Sequence, residues 1–365
     1  MAGIGAGSIA HAAPYESAEG NTLVLVKHEG EGDTAGQALE GISFQINRVL
    51  DVSATSADEL GKLVDEHPDV VTPMSKHRLG PGHKAITDSA GHARVSGLPD
   101  GVYLVRELPS RVGDVSYSVA SPFLVALPNP QDRSDTVRVA LKNQPVSVQI
   151  TASPSHVAPC NNVHIRVAGS APEPDVRGKL YRYVMVLSMD PALVDRQARR
   201  VWISTGHTRV DLIRSKDWTS HADTATGSVV IELTESGLAK LANARVGNPQ
   251  VRVEADAVAT VGCRTAGDKQ LTMSVGLFPD GWQVPTDVGR SIDAAASSAS
   301  THVMVADGSA QVLPAPGKSG GARPGLKLPV TGAMGAAGGI GAVLVTVIVV
   351  LFVARPDRRD KEKNQ

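Results

Sequence analysis

Few residues in this 365-residue chain have the types and spacing that chemistry requires. The eleven histidines are scattered, none forming an H-E-x-x-H pair, and the only two cysteines leave no second pair for a structural zinc. No G-x-S-x-G run stands between a strand and a helix, the setting a nucleophile elbow needs to seat its serine. The GIGAGS run near the start precedes no βαβ unit, so it lacks the strand and helix a dinucleotide site needs. His28 beside Lys27 reads as a strand-edge residue rather than a general base. No enzyme activity, metal or cofactor is therefore expected. Cys160 and Cys263 remain. In an exported protein an even pair reads as a disulfide, and closing a loop of about 100 residues contributes up to about 4–5 kcal/mol. Two free buried thiols are the alternative.

Whether the chain is exported is written at its ends. Ala333–Ala354 is twenty-two residues without a charge, long enough to cross a hydrocarbon core as a helix. Arg355, Arg358, Arg359, Lys361 and Lys363 follow it, against Lys318, Arg323 and Lys327 before it. That bias puts residues 355–365 in the cytoplasm as a basic tail and the rest outside. At the other end, residues 1–12 read as the remnant of a signal peptide, with Ala10 and Ala12 at the −3 and −1 positions of a cut before Ala13. A basic n-region and a full apolar core are missing there, so the true start is expected upstream of Met1.

Directly before the span stands Leu328-Pro329-Val330-Thr331-Gly332. Pentapeptide, apolar span and short basic tail, in that order, resemble the LPxTG cell-wall sorting signal of Gram-positive surface proteins. The resemblance implies a sortase cysteine that attacks the Thr331 carbonyl, releases Gly332 onward, and passes the acyl group to an amine. Pro329 bends the peptide and Gly332 leaves the scissile bond unobstructed. The membrane is then touched only through the C-terminal anchor, before processing.

Between the ends, 36 glycines, 23 prolines and few long helical periods argue for short strands and turns. The formal net charge of −1 gives no electrostatic footprint for nucleic acid. Residues 21–145 read as a first β-rich domain, with strands in NTLVLVKH, GISFQINRV, SYSVASPFLVALP and DTVRVALKN. ITDSAGHARVSGLPDGVYLVRELP reads as three strands turning at Gly91 and Gly101. One short helix interrupts them, where Ser56 and Glu59 form a capping box and Leu60, Leu63 and Val64 share a face. Residues 146–282 repeat the β character in VSVQITASP, NNVHIRVAG, LYRYVMVLS, GSVVIEL and QVRVEADAVATV, with a capped helix in TESGLAKLAN. Residues 283–327 turn to Ala, Ser, Gly and Pro and read as a disordered wall-spanning linker.

The first domain is similar to the N-terminal domain of Gram-positive sortase-assembled pilins through LVLVKHEG, TDSAGHARVSGLPDGVYLVRELP and SPFLVALPNP. The second resembles the middle, isopeptide-type domain of the same proteins through LTESGLAKLANARVGNPQVRVEADA. The resemblance implies a mostly β chain of two tandem Ig-like, Cna-B-like sandwiches ahead of the linker and transmembrane helix. It also implies an intramolecular Lys–Asn isopeptide bond promoted by a carboxylic acid, at the matching positions Lys27, Glu107 and Asn143. Such a bond needs a lysine desolvated enough to be neutral and an acid able to polarise the amide. Alternation puts Val137, Val139, Leu141 and Asn143 on one face, and Tyr103, Val105 and Glu107 on another. The facing of Lys27 is left open, because Leu23 and Leu25 on its side are matched by Val24 and Val26 opposite.

Shaft pilins of that family present a linking lysine in W-x-x-x-V-x-V-Y-P-K-N. RSDTVRVALKN matches at Val137, Val139, Lys142 and Asn143, but Arg133, Ala140 and Leu141 replace the Trp, Tyr and Pro. Lys142 is thus a candidate for one junction to another subunit, not for a homopolymer. The second domain lacks the first-strand lysine, and the cysteine pair is expected to staple it instead. Together these readings point to a wall-anchored minor or basal pilin, or a pilin-like adhesin. Its partners would be sortase, a peptidoglycan precursor or another pilin, and a host surface or matrix molecule. A surface enzyme with an unrecognised site, or a membrane-retained structural or sensing protein, are the rival classes.

Overall fold

Alternating apolar side chains on short Val-rich runs make strands here, and glycines and Asx residues make the turns between them. The computed structural model describes residues 20–30, 36–52, 56–66, 77–175, 177–223, 226–285 and 291–306. The signal remnant, sorting motif, apolar span and basic tail lie outside the described residues. Among the described residues no helix is long and apolar enough to cross a membrane.

The first unit runs through β1 (Asn21–Glu29), β2 (Ser43–Val49), α1 (Ala57–Glu66), β3 (Leu79–Ile86), β4 (His92–Leu98), β5 (Gly101–Glu107), β6 (Arg111–Val112), β7 (Val115–Ser116), β8 (Phe123–Leu127) and β9 (Thr136–Asn143). One sheet has the order β4-β1-β9 and the facing sheet β3-β2-β5-β8. Leu23, Leu25, Phe44, Ile46, Tyr103, Val105 and Leu141 fill the space between them. Full burial of each such apolar side chain stabilises by about 1.5–3 kcal/mol.

α1 starts where the Ser56 hydroxyl accepts from the Glu59 N–H at 3.2 Å. Leu60 and Leu63 then cover Val102, Leu104 and Leu124 on the outer face of the four-stranded sheet. β5 is therefore apolar on both faces, which is why VYLV shows no alternation. β1 is likewise central, antiparallel to β4 and parallel to β9. Gly91, at φ +74, closes the turn before β4, and a Cβ there would stand 2.2 Å from the Lys27 carbonyl oxygen. Only glycine combines that conformation with that approach.

The second unit runs through β10 (Val148–Ser153), β11 (His156–Val157), β12 (Asn162–Ser170), β13 (Tyr183–Met189), β14 (Leu193–Ser204), β15 (Arg209–Leu212), β16 (Trp218–Asp223), β17 (Ser228–Leu233), α2 (Glu235–Arg245), β18 (Arg252–Val261), β19 (Gln270–Pro279), α3 (Ser291–Ala294) and β20 (Ser297–Val305). Its sheets have the orders β10-β12-β18-β14-β15 and β11-β20-β19-β13-β17-β16. The chain is mostly β, built from sandwiched sheets, as its sequence predicts.

One boundary is corrected. Residues 283–327 are not a linker from their first residue, because Ser297–Val305 pairs antiparallel with β19 from Gln270↔Met304 to Leu277↔Ser297. Val303 and Val305 are buried in the second core, as are Ala295 and Ala296. The Ala/Ser-rich composition hides this strand: its outer positions face solvent, so small and polar residues suffice there. The second unit thus extends past residue 282, and 307–327 lies outside the described residues.

The units meet along the Ser116–Val146 connection. Arg111 donates to the Ala295 carbonyl at 2.6 Å, and the Trp282 indole donates to the Tyr117 carbonyl at 3.4 Å.

Candidate functional site

Lys27 is fully buried, on the core side of β1 beneath Leu23 and Leu25. The question left open by the sequence is decided by the sheet. β1 is covered on both sides, and the register sets Lys27 opposite Leu141, whose side chain is in the core. Two residues further along β9, Asn143 faces the same interior and is also fully buried. Glu107 comes from the opposing sheet, at the end of β5. Three strands from two sheets thus converge on one point between the layers.

There the Lys27 Nζ lies 2.6 Å from Glu107 Oε2. Asn143 Nδ2 donates to Glu107 Oε1, and the Ala120 N–H donates to Oε2 at 3.2 Å. The Phe44 ring centroid is 5.9 Å from Nζ. Burial lowers the Lys27 pKa, and the Glu107 charge and hydrogen bond oppose that shift without cancelling it. Asn143 Oδ1 is buried with no hydrogen-bond partner among the described residues, a costly state for an amide oxygen.

The arrangement can do one thing well. Passing a proton along the Lys27–Glu107 contact leaves a neutral amine and a carboxylic acid. Turning the Asn143 amide by half a revolution about its last bond then presents Oδ1 to that acid. A polarised amide carbonyl beside a neutral amine is the starting point for acyl transfer. The sequence did not point to the Ala120 N–H or the Phe44 ring; neither carries a local signal.

Lys142 emerges on the opposite face of β9 from Asn143, half-buried and opposite His28 in the register. The two neighbours therefore serve different surroundings, as alternation requires. Lys142 is not brought to the Lys27–Glu107–Asn143 cluster.

In the second unit Cys160 and Cys263 are joined, with 103 residues of separation and Cα atoms 4.4 Å apart. Both lie at the surface. Cys160 sits in a turn at φ 66 whose N–H donates to the Val261 carbonyl at 2.9 Å. The bond therefore fastens the approach to β12 to the end of β18.

A buried polar cluster in this unit was not read from the sequence. Asp217, fully buried, accepts from the Ile213 N–H at 2.8 Å, the Ser236 hydroxyl at 2.8 Å and Lys240 Nζ at 2.6 Å. Burial pushes its pKa up, but these donors outweigh it and hold the carboxyl at about 2. A Cβ at Gly237 would meet the Asp217 carbonyl at 2.0 Å, so the glycine of TESG seats α2 against this loop. Among the described residues no group of three or more His, Cys, Asp or Glu side chains could hold a metal ion.

No family model and no curated protein matches the chain. Solved structures do. The major pilin SpaA of Corynebacterium diphtheriae superposes with a TM-score of 0.55 at 18% identity, over 77% of this chain and 68% of that one. The full-length major pilin SpaD of the same organism gives 0.46 at 18%, over 78% and 65%. The fimbrial protein FimP of Actinomyces oris gives 0.38 at 22%, over 71% and 61%. This chain thus spans about three fifths to two thirds of those structures. The structural neighbours include Gram-positive major pilins, and SpaA is described as pointing to a modular pilus assembly with stabilising isopeptide bonds.

Proposed function

We propose that this chain is a pilin-type surface subunit of a Gram-positive bacterium, a structural protein rather than an enzyme. It is exported, then joined through Thr331 by sortase to a peptidoglycan precursor or another pilin, and acts as a minor or basal subunit or a pilin-like adhesin. The observation that carries the reading is the buried Lys27–Glu107–Asn143 cluster, in a sandwich fold like that of SpaA.

The reaction proposed for the cluster balances within the chain. Lys27 Nζ, having given one proton to Glu107, attacks Asn143 Cγ while the acid polarises Oδ1. The amine's remaining excess proton passes through Glu107 to the departing amide nitrogen. An Nζ–Cγ bond forms, the Cγ–Nδ2 bond breaks, and ammonia leaves. The product ties β1 to β9 within one sheet, at the two ends of the unit.

Intact mass tests the bond: the exported chain should be lighter by about 17 Da, the mass of ammonia displaced in that acyl transfer. Cell fractionation tests the attachment. Thr331→Ala should move the protein from the wall to the membrane fraction, and unchanged wall linkage would refute sortase processing. Lys142 serves a single junction to a different pilin. A ladder of this protein alone that collapses in Lys142→Ala would make it a shaft subunit instead.

A further inference from the structure

The outer face of the sheet β10-β12-β18-β14-β15 carries a groove of about 620 Å3 that none of the preceding chemistry uses. Thr151, Ser153, His164, Arg166, Arg199 and Arg200 line it, together with Asp256. The array is built. Arg166, Asp256 and Arg200 stand in one row across β12, β18 and β14. The carboxylate bridges both guanidinium groups, at 3.1 Å to Arg166 and 2.6 Å to Arg200. Arg166 also lies 5.2 Å from the ring centroid of Trp202, and Arg209 lies 4.0 Å from it. Trp202 is only 3% exposed, on the side of β14 away from the core, roofed by those cations.

A register shift between Ala198 and Arg200 bulges β14. On a regular strand, consecutive side chains point to opposite faces; a bulge re-aims one of them. Arg199 and Arg200 consequently both line the groove. Arg199 has no hydrogen bond, ion pair or ring contact among the described residues. Three arginines against one aspartate leave an excess of two positive charges, on a protein whose formal net charge is −1.

We propose that this groove binds a sulfated linear polysaccharide. Guanidinium forks match sulfate oxygens and are held apart by Asp256, so charges must be closely spaced along the ligand to satisfy them. Thr151, Ser153 and Asn162 offer hydroxyl and amide groups suited to sugar hydroxyls. A peptide would want apolar anchoring pockets, and Val258 is the main apolar side chain offered. A single-stranded nucleic acid would want an exposed ring for stacking, and Trp202 is covered. The binding does not depend on sortase attachment or on the Lys27–Asn143 bond.

Heparin is the probe, with the full-length protein immobilised in detergent and binding read by surface plasmon resonance at two salt concentrations. Expected results are saturable binding that weakens with salt, and about a tenfold loss of affinity in Arg199→Ala/Arg200→Ala. Arg199→Ala alone removes no hydrogen bond, ion pair or ring contact among the described residues, so it keeps the test open if the double variant unfolds; it should lose about threefold. Lys84→Ala, exposed on β3 of the first unit, should bind as wild type does. No saturable binding, affinity unchanged in both arginine variants, or equal binding to fully desulfated heparin would overturn the proposal.

Discussion

The first unit brings its chain ends together through the interior, the second fastens two loops at its surface. Lys27 and Asn143 lie on the first and last strands of their unit, with Glu107 reaching across from the opposite sheet. Cys160 and Cys263 lie just before β12 and just after β18, so β10, β11, β19 and β20 stand outside the loop they close. The difference is chemical. A lysine loses its charge only where water is excluded, so its reaction needs a finished core around it. Two thiols need only proximity and an oxidising compartment. One link can form only after folding, whereas the other can form as soon as two loops meet.

The largest effect should come from breaking the interior cluster. Glu107→Ala removes the acid, so the variant should show the full mass of its own sequence, without the loss of about 17 Da that marks the bond. Without the bond, a loop of about 115 residues is no longer closed. The first unit should then lose about 4–5 kcal/mol while the second is unaffected. If wild type already has its full mass after folding, the contrast between an interior and a surface link collapses.

Next comes the disulfide. Cys160→Ala/Cys263→Ala should destabilise the second unit by about 2–4 kcal/mol, seen in denaturant unfolding, without altering the mass signature of the first. Pulling on the wild-type chain ends should release β10, β11, β19 and β20 while the 103-residue segment stays closed. Full extension of the second unit without reductant would contradict this.

A smaller effect belongs to Asp217. Its folded pKa of about 2 lies below the usual carboxylate value. The stabilisation it supplies is present above pH 4 and is lost as pH falls from about 4 toward 2. Asp217→Asn should flatten that acid limb for the second unit and cost about 1–3 kcal/mol near neutrality through its buried donors.

Smallest is Asp280, beside the Gly281–Trp282 contact with the first unit. Burial pushes its pKa up to about 6, against the N–H groups of Tyr181 and Arg182 that pull it down. The folded state therefore takes up a proton before the unfolded state does, and stability rises as pH falls from about 6 toward 4. A gain of about 2–5 °C in the melting temperature of the second unit is expected. Asp280→Asn should abolish that pH dependence, and an unchanged profile would discount the assignment.

Much of this was legible in the residues. Gly91 and Gly101 marked turns, Ser56 and Thr234 marked helix starts, and the facing of Glu107 and Asn143 followed from their neighbours at i−2. Several features were not, β19 (Gln270–Pro279) among them. β20 was hidden because a strand with one face in solvent needs only a few apolar residues, and averaging over an Ala/Ser-rich stretch buries Val303 and Val305 in the mean. β14 escaped because bulges at Val194–Gln197 and Ala198–Arg200 break its two-residue period, and β15 and β16 because they are short and mostly exposed. The Asp217 cluster escaped because Ser236 and Lys240 reach it from α2, about 20 residues further along the chain, and only the fold brings that helix to the loop.

The sequence by itself determined the strand-rich architecture, the cysteine pairing available to the second unit, and which face of β5 and β9 carries Glu107 and Asn143. Those are properties of composition and of a local period of two. Only the tertiary structure decided the facing of Lys27, since a strand apolar on both sides has no outside until its neighbours arrive. It likewise decided that a lysine, a glutamate and an asparagine far apart in the chain share one dry space. Desolvation belongs to the assembled sheets, and no single segment can supply it.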